Sequence, residues 1–111
     1  MTHPMLQSDS SLAEIVRRLV DSLNPVRIYL FGSLARGEGG PDSDYDLMVL
    51  VADDESATRI RRGRAAYKAL RGTGVAADVL VWSIQSFESR LHVVASLPAA
   101  IKREGKLIYA L

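Results

Sequence analysis

With 111 residues, 48% of them hydrophobic and 24% charged, the chain has the make-up of one ordinary globular domain, too small to carry a second domain for another substrate. A formal net charge of +1 argues against general nucleic-acid binding, and no apolar run approaches the roughly 20 residues that a bilayer crossing needs. Cysteine is absent, which excludes disulfides, thiolate metal sites and cysteine nucleophiles and leaves oxygen ligands and two histidines.

Met1 to Ser10 have neither the basic start nor the apolar stretch of a secretory signal, so the cytoplasm is the expected location. Ser11, followed three residues later by Glu14, reads as a capping box. The helix it opens has Leu12, Ile15, Val16, Leu19, Val20 and Leu23 at helical spacing, and Asn24-Pro25 stops it. Val26 to Phe31 is rich in β-branched and aromatic residues and predicts a buried strand ended by Gly32-Ser33. Arg36 to Ser43, broken by three glycines and Pro41, predicts an exposed loop. Tyr45 to Ala52 is apolar after Asp46 and predicts a strand covered on both faces. Asp53, Asp54 and Glu55 open a helix with Ile60, Ala66, Tyr67 and Leu70 inward and a dense arginine face outward, closed by Gly72-Thr73-Gly74. Val75 to Trp82 predicts a third strand. Ser83 with Ser86 predicts the cap of a helix reaching about Ser96, with Phe87, Leu91 and Val94 inward. Pro98 starts a short helix ending at Gly105, and Lys106 to Leu111 form a last strand or a packed tail. The order predicts an α/β (α+β) domain over residues 1–111: a small mixed sheet with helices packed against it.

The chemistry concentrates between Leu30 and Val49. Asp44 and Asp46, one residue apart at the start of a strand, point to one face with Cα atoms about 7 Å apart, and Tyr45 points away. Two carboxylates so placed can share one or two Mg²⁺ ions, because hard cations prefer carboxylate oxygen. Asp78 stands in the third strand among Ala77, Val79, Leu80 and Val81, where a bare carboxylate loses its hydration at a heavy cost unless it serves a purpose. If the second and third strands are neighbours, Asp78 joins the pair on one face. Gly32 lets the backbone approach a phosphate, and freed N–H groups with the Ser33 hydroxyl can bind its oxygens. Arg36 either adds a cation to the triphosphate or pairs with Glu38 or Asp42 in its own loop.

Gly32-Ser33-Leu34-Ala35-Arg36-Gly37 followed by Ser43-Asp44-Tyr45-Asp46-Leu47 is similar to the signature of the DNA polymerase β nucleotidyltransferase superfamily, in particular its minimal nucleotidyltransferase (MNT) members. That signature is Gly-Ser, a ten-residue spacer, Asp-x-Asp and a third aspartate on a later strand, and Asp78 fits the third place. The resemblance implies the nucleotidyltransferase fold. It implies catalytic and metal-ligating roles for Asp44, Asp46 and Asp78, nucleotide contacts from Gly32, Ser33 and Arg36, two Mg²⁺ ions, and ATP or another nucleoside triphosphate as substrate. It further implies transfer of a nucleotidyl group, AMP foremost, to a hydroxyl, with Asp78 ligating the second ion or accepting the hydroxyl proton. Small members often act as the antitoxin beside a helical HEPN-domain protein, and some adenylylate that partner on tyrosine. The alternative is an antitoxin that neutralises its partner by binding, without turnover.

Other readings carry less. Aspartyl phosphatases also use Asp-x-Asp, but directly after the first strand, where this chain has Gly-Ser. No Gly-x-x-x-x-Gly-Lys-Ser/Thr is present, which excludes a P-loop enzyme. Arg59, Arg61, Arg62, Arg64, Lys68 and Arg71 form a basic face that is either solvated or docks an acidic partner. No aromatic residues interleave with these cations, so RNA is the weaker partner for them. His92 reads as a packing or surface residue, and Trp82, Phe87 and Tyr109 as core or partner-contact residues. The apolar segment from Leu97 to Leu111 is a second candidate partner surface.

Overall fold

A computed structural model describes residues 3–40, 43–52 and 56–111, without the side chains of residues 56–60. After the short helix α1 (Met5–Ser8) come α2 (Ser10–Leu23), β1 (Arg27–Phe31), the single turn α3 (Gly32–Ala35), β2 (Tyr45–Val51) and α4 (Ser56–Ala69). They are followed by β3 (Ala77–Ser83), α5 (Ile84–Ser89), α6 (Leu97–Glu104) and β4 (Lys106–Ala110). The sheet order is β3-β2-β1-β4, with β1 antiparallel to both β2 and β4 and β2 parallel to β3. The predicted small mixed sheet flanked by helices is therefore present. Among the described residues, no helix is long and apolar enough to cross a membrane.

Alternation along the strands divides the core in two. Ile28, Leu30, Leu47, Val49 and Val81 pack under α2 and α4 with Leu12, Ile15, Leu19 and Ala66. On the other face Tyr29, Met48 and Leu50 pack with Phe87 of α5 and Ile101 of α6, and the Tyr29 and Phe87 rings stack 5.6 Å apart. Phe87 is fully covered, Trp82 and Tyr109 are packed against these clusters, and His92 is exposed.

Two arginines lock α2 to α4. The Arg18 guanidinium donates to the carbonyls of Ala69 and Arg71 at the end of α4, and Arg62 donates to the carbonyl of Leu23 at the end of α2. Each helix thus caps the open carbonyls of the other, which are left over by helical bonding. Arg62 is consequently structural, whereas Arg61, Arg64, Lys68 and Arg71 lie exposed, as a solvated basic face requires. Glu14 bonds both Arg17 and Arg18, and these partners hold its carboxyl down to about 2. Arg18→Ala is expected to destabilise the fold by about 1–2 kcal/mol, the scale of hydrogen bonds from a charged donor to helix-end carbonyls. A thermal melt checks this, with Arg17→Ala, whose bonds stay within the exposed face of α2, as the near-neutral control.

Several expectations are corrected. The cap of α2 is Asp9, whose carboxylate accepts the Leu12 N–H, so the helix opens one residue before Ser11 and Glu14 is free for arginine. Tyr67 is 74% exposed, because α4 turns Ala65, Ala66 and Leu70 inward instead. The third strand begins at Ala77, two residues late, after the positive-φ turn at Gly72 and Gly74. The helix after Ser83 stops at Ser89, leaving Val94 78% exposed. Ser96 explains the early stop: its hydroxyl donates to the Arg90 carbonyl and accepts the Ala99 N–H, capping α6, with Pro98 in the first turn of that helix. The acidic opening at Asp53, Asp54 and Glu55 and the side chains of Arg59 and Ile60 lie outside the described residues.

Candidate functional site

The site forms where β1, β2 and β3 come together at one end of the sheet. Antiparallel pairing sets Phe31 opposite Asp46, and the parallel register sets Asp46 opposite Asp78. Side-chain alternation then places Asp46 and Asp78 on the same face as Met48, Leu50 and Trp82. Asp44, two residues before Asp46, precedes the strand and is exposed. The three sequence-predicted acids therefore share one end of the sheet.

Asp78 is not enclosed, however. It is the second residue of β3, exposed, on an edge strand, so the apolar flanks that suggested burial belong to the opposite face or to a rim residue such as Leu80. Asp46 is the half-buried member. Burial first, then the carboxylates of Asp78 and Asp44, push its pKa above the ordinary value of 3.8, and Arg36 partly offsets them.

Tyr45 anchors this arrangement from behind. Its hydroxyl donates to the Asp9 carboxylate at 2.7 Å, and burial together with that bond pushes its pKa up to about 12. The other oxygen of Asp9 caps α2. One carboxylate thus fixes a helix and the start of β2 together, which holds the strand's other face, with Asp44 and Asp46, in a set direction. Sequence reasoning passed over Asp9; the available signal was its place just before two serines and a periodic apolar run.

Gly32 has φ +75°, a conformation suited to glycine, and a Cβ added there would run into the Asp46 carboxylate. The backbone at the end of β1 therefore lies directly against the central acid. In the turn that follows, the Arg36 N–H bonds back to the Gly32 carbonyl and the Glu38 N–H to that of Ser33. The first N–H groups of such a turn have no partner within it. The Ser33 hydroxyl makes no hydrogen bond among the described residues and can serve a ligand. Arg36 takes the pairing option: its Nε lies 3.2 Å from both carboxylate oxygens of Glu38, while its charge still acts on Asp46. Asp42 lies outside the described residues. Ser43 closes the loop, its hydroxyl accepting the Gly40 N–H at 2.8 Å.

The donor set is all carboxylate oxygen, which suits a hard divalent cation, and the mutual repulsion around Asp46 is the kind that such a cation relieves. Among the described residues no three acidic, histidine or cysteine side chains converge tightly enough to form a ready-made metal group. The carboxylates flank the place without closing on it.

The nucleotidyltransferase domain family matches residues 10–108, which include every element of the site. The chain belongs to this family. No curated protein matches it significantly. Among solved structures, this nucleotidyltransferase is similar to a Sulfolobus solfataricus protein provisionally assigned to the nucleotidyltransferases, at 20% identity over 91% of this chain and 78% of that one, with a TM-score of 0.64. It is similar to a toxin–antitoxin complex with AMP-PNP, at 26% identity over 89% of this chain and 73% of that one, with a TM-score of 0.55. A third likeness is to the complex of tri-AMPylated Shewanella oneidensis HEPN toxin with MNT antitoxin, at 24% identity over 92% of this chain and 71% of that one, with a TM-score of 0.50. The first and third speak for the fold. The nucleotidyltransferase thus resembles MNT antitoxins of HEPN toxins in architecture as well as in its motif.

Proposed function

We propose that this nucleotidyltransferase is a Mg²⁺-dependent protein adenylyltransferase, the cytoplasmic antitoxin of a HEPN-domain toxin, and that it transfers AMP from ATP to a hydroxyl of that partner. The observation that carries the reading is the register Asp46↔Asp78 with Gly32 against Asp46, which groups a phosphate-approach backbone and three carboxylates at one sheet end. The nucleotide complex and the AMPylated toxin among the structural neighbours support ATP and a protein hydroxyl as the two substrates.

In this reading Asp44, Asp46 and Asp78 would hold the Mg²⁺ ions, two in number, which would supply positive charge to offset that of the triphosphate. Gly32 and Ser33 bind phosphate oxygens through backbone N–H groups and the Ser33 hydroxyl, and the Arg36 guanidinium adds positive charge beside them. The acceptor hydroxyl forms a new bond from its oxygen to the α-phosphorus, the bond from that phosphorus to the α–β bridging oxygen breaks, and pyrophosphate leaves. Asp78, exposed on the edge strand, would take the hydroxyl proton where it does not ligate the second ion.

The deciding experiment incubates the purified protein with α-labelled ATP, Mg²⁺ and a HEPN-domain protein from the same genome. Label on that protein with the native chain, and none with the Asp44→Asn, Asp46→Asn form, establishes the transferase. A stable complex that binds ATP yet transfers no label leaves the role of a purely binding antitoxin. In parallel, Mg²⁺ with ATP is expected to raise the melting temperature by several degrees, since ligand at about 100 times its Kd adds roughly 2.7 kcal/mol. An unmoved midpoint at saturating ligand contradicts the site.

A further inference from the structure

The two edges of the sheet are built differently. At the β4 edge the strand is five residues long, starts with Lys106, has a register shift in its pairing with β1, and has the His3 N–H bonded to the Ile108 carbonyl at 3.1 Å. These are the devices by which sheets avoid pairing with other chains. β3 lacks most of them: seven residues, Ala77-Asp78-Val79-Leu80-Val81-Trp82-Ser83, without lysine, proline or bulge, and with Asp78 as its single charge. The Tyr45 N–H bonds the Ala76 carbonyl, and Tyr45 pairs with Ala77. In a parallel ladder this phase turns the backbone groups of Asp78 and Leu80 toward β2 and those of Ala77, Val79 and Val81 outward. Among the described residues those outward groups meet no hydrogen-bonding partner.

Beside this open edge, on the α4 side, lies a cleft of about 420 Å³ lined by Tyr67, Leu70, Arg71, Val75, Ala77 and Val79, with Asp78 only at its rim. The opposite side of the same edge carries Asp78 and the 38% exposed Leu80. We infer that the acceptor enters as an extended segment of the partner protein that adds a fifth strand along β3. Its outward main-chain groups pair with those of Ala77, Val79 and Val81, and its side chains alternate between the two sides. One set fills the cleft under Tyr67 with apolar groups; the other, offset by one residue, brings the reacting hydroxyl over Asp78. The acceptor sequence is thereby specified as a hydroxyl residue with apolar neighbours at odd offsets. The inference rests on the proposed transferase reading for the identity of the hydroxyl, but strand addition itself requires no turnover.

The test compares the native chain with Ala77→Pro and Tyr67→Ala, using Mg²⁺, α-labelled ATP and a HEPN-domain protein from the same genome as acceptor. Ala77→Pro removes an outward N–H at the first position of the strand, where proline is tolerated, and Tyr67→Ala strips a cleft wall at a solvent-exposed residue, so the fold survives at least the second. Ala77→Pro should raise KM for the acceptor about tenfold or more and Tyr67→Ala about threefold or more, the scale of one lost main-chain hydrogen bond and one lost apolar contact. The melting shift given by Mg²⁺ with ATP should persist in both. Unchanged KM in the folded variants overturns the inference. If the native chain labels nothing, the transferase reading fails by itself and hydrogen exchange on the complex decides the edge: slowed exchange of the Val79 and Val81 amides upholds strand addition, and unchanged exchange overturns it. The same slowing in the free protein as its concentration rises assigns the edge to a second copy of this chain and likewise overturns it.

Discussion

Replacing Asp44 and Asp46 together by asparagine should abolish nucleotidyl transfer and, at neutral pH, raise the melting temperature of the ligand-free protein. The loss of rate is expected to be about a thousandfold or more, since the proposed site would lose two charge-bearing groups at once. The gain in stability has a separate cause. Asp46 has its pKa raised in the folded state by burial and by Asp78 and Asp44, so its ionisation opposes folding. For a carboxylate shifted upward, that penalty is complete above the folded pKa, shrinks as pH falls through it, and vanishes below the unfolded value near 3.8. The variant should therefore melt higher than the native chain at pH 7 and converge with it in acid. Melts across pH, with and without Mg²⁺, separate the two effects. Mg²⁺ should stabilise the native chain and leave the variant unmoved. A variant that melts lower at every pH would show instead that the carboxylates are held by partners that stabilise them.

The acidic pair was readable because alternation in a strand is a rule of geometry: Asp44 and Asp46 had to face the same way, and Tyr45 the other. The place of Asp78 was readable only conditionally. Its position opposite Asp46 depends on β2 and β3 being parallel neighbours, which the intervening helix α4 permits but local pattern does not dictate. Its environment was misread for a related reason. A run of apolar residues looks the same in a covered strand and in an edge strand with one half-open face, so Leu80 and Val79 suggested a burial that Asp78 does not have. Val94 was misplaced because periodicity continues past the point where Ser96 and Pro98 commit the chain to a new helix. Tyr67 was misplaced because Ala65 and Ala66 offer a closer approach to the sheet than a tyrosine one position on. The Asp9 to Tyr45 bond spans 36 residues and could not be seen before the fold existed.

Gly32→Ala is the single substitution expected to harm the site most without removing a reacting group. Two costs combine in it. The φ of +75° costs an alanine about 1–2 kcal/mol, and the new methyl would collide with the Asp46 carboxylate. The second cost falls on catalysis, because Asp46 must swing away or β1 must retreat, and a displacement of about 1 Å at a reacting centre can cost about a hundredfold in rate. Gly37 supplies the control. Its φ is +74°, almost the same, yet a Cβ there meets nothing within 4 Å. Gly37→Ala should therefore lose a similar amount of stability to backbone strain while keeping most of the transfer activity, whereas Gly32→Ala should lose that stability and about a hundredfold or more in rate. The difference between the two variants isolates the contact with Asp46. Equal activities in both would mean that the close approach of Gly32 to the acid is a backbone convenience, and that phosphate binding does not depend on it.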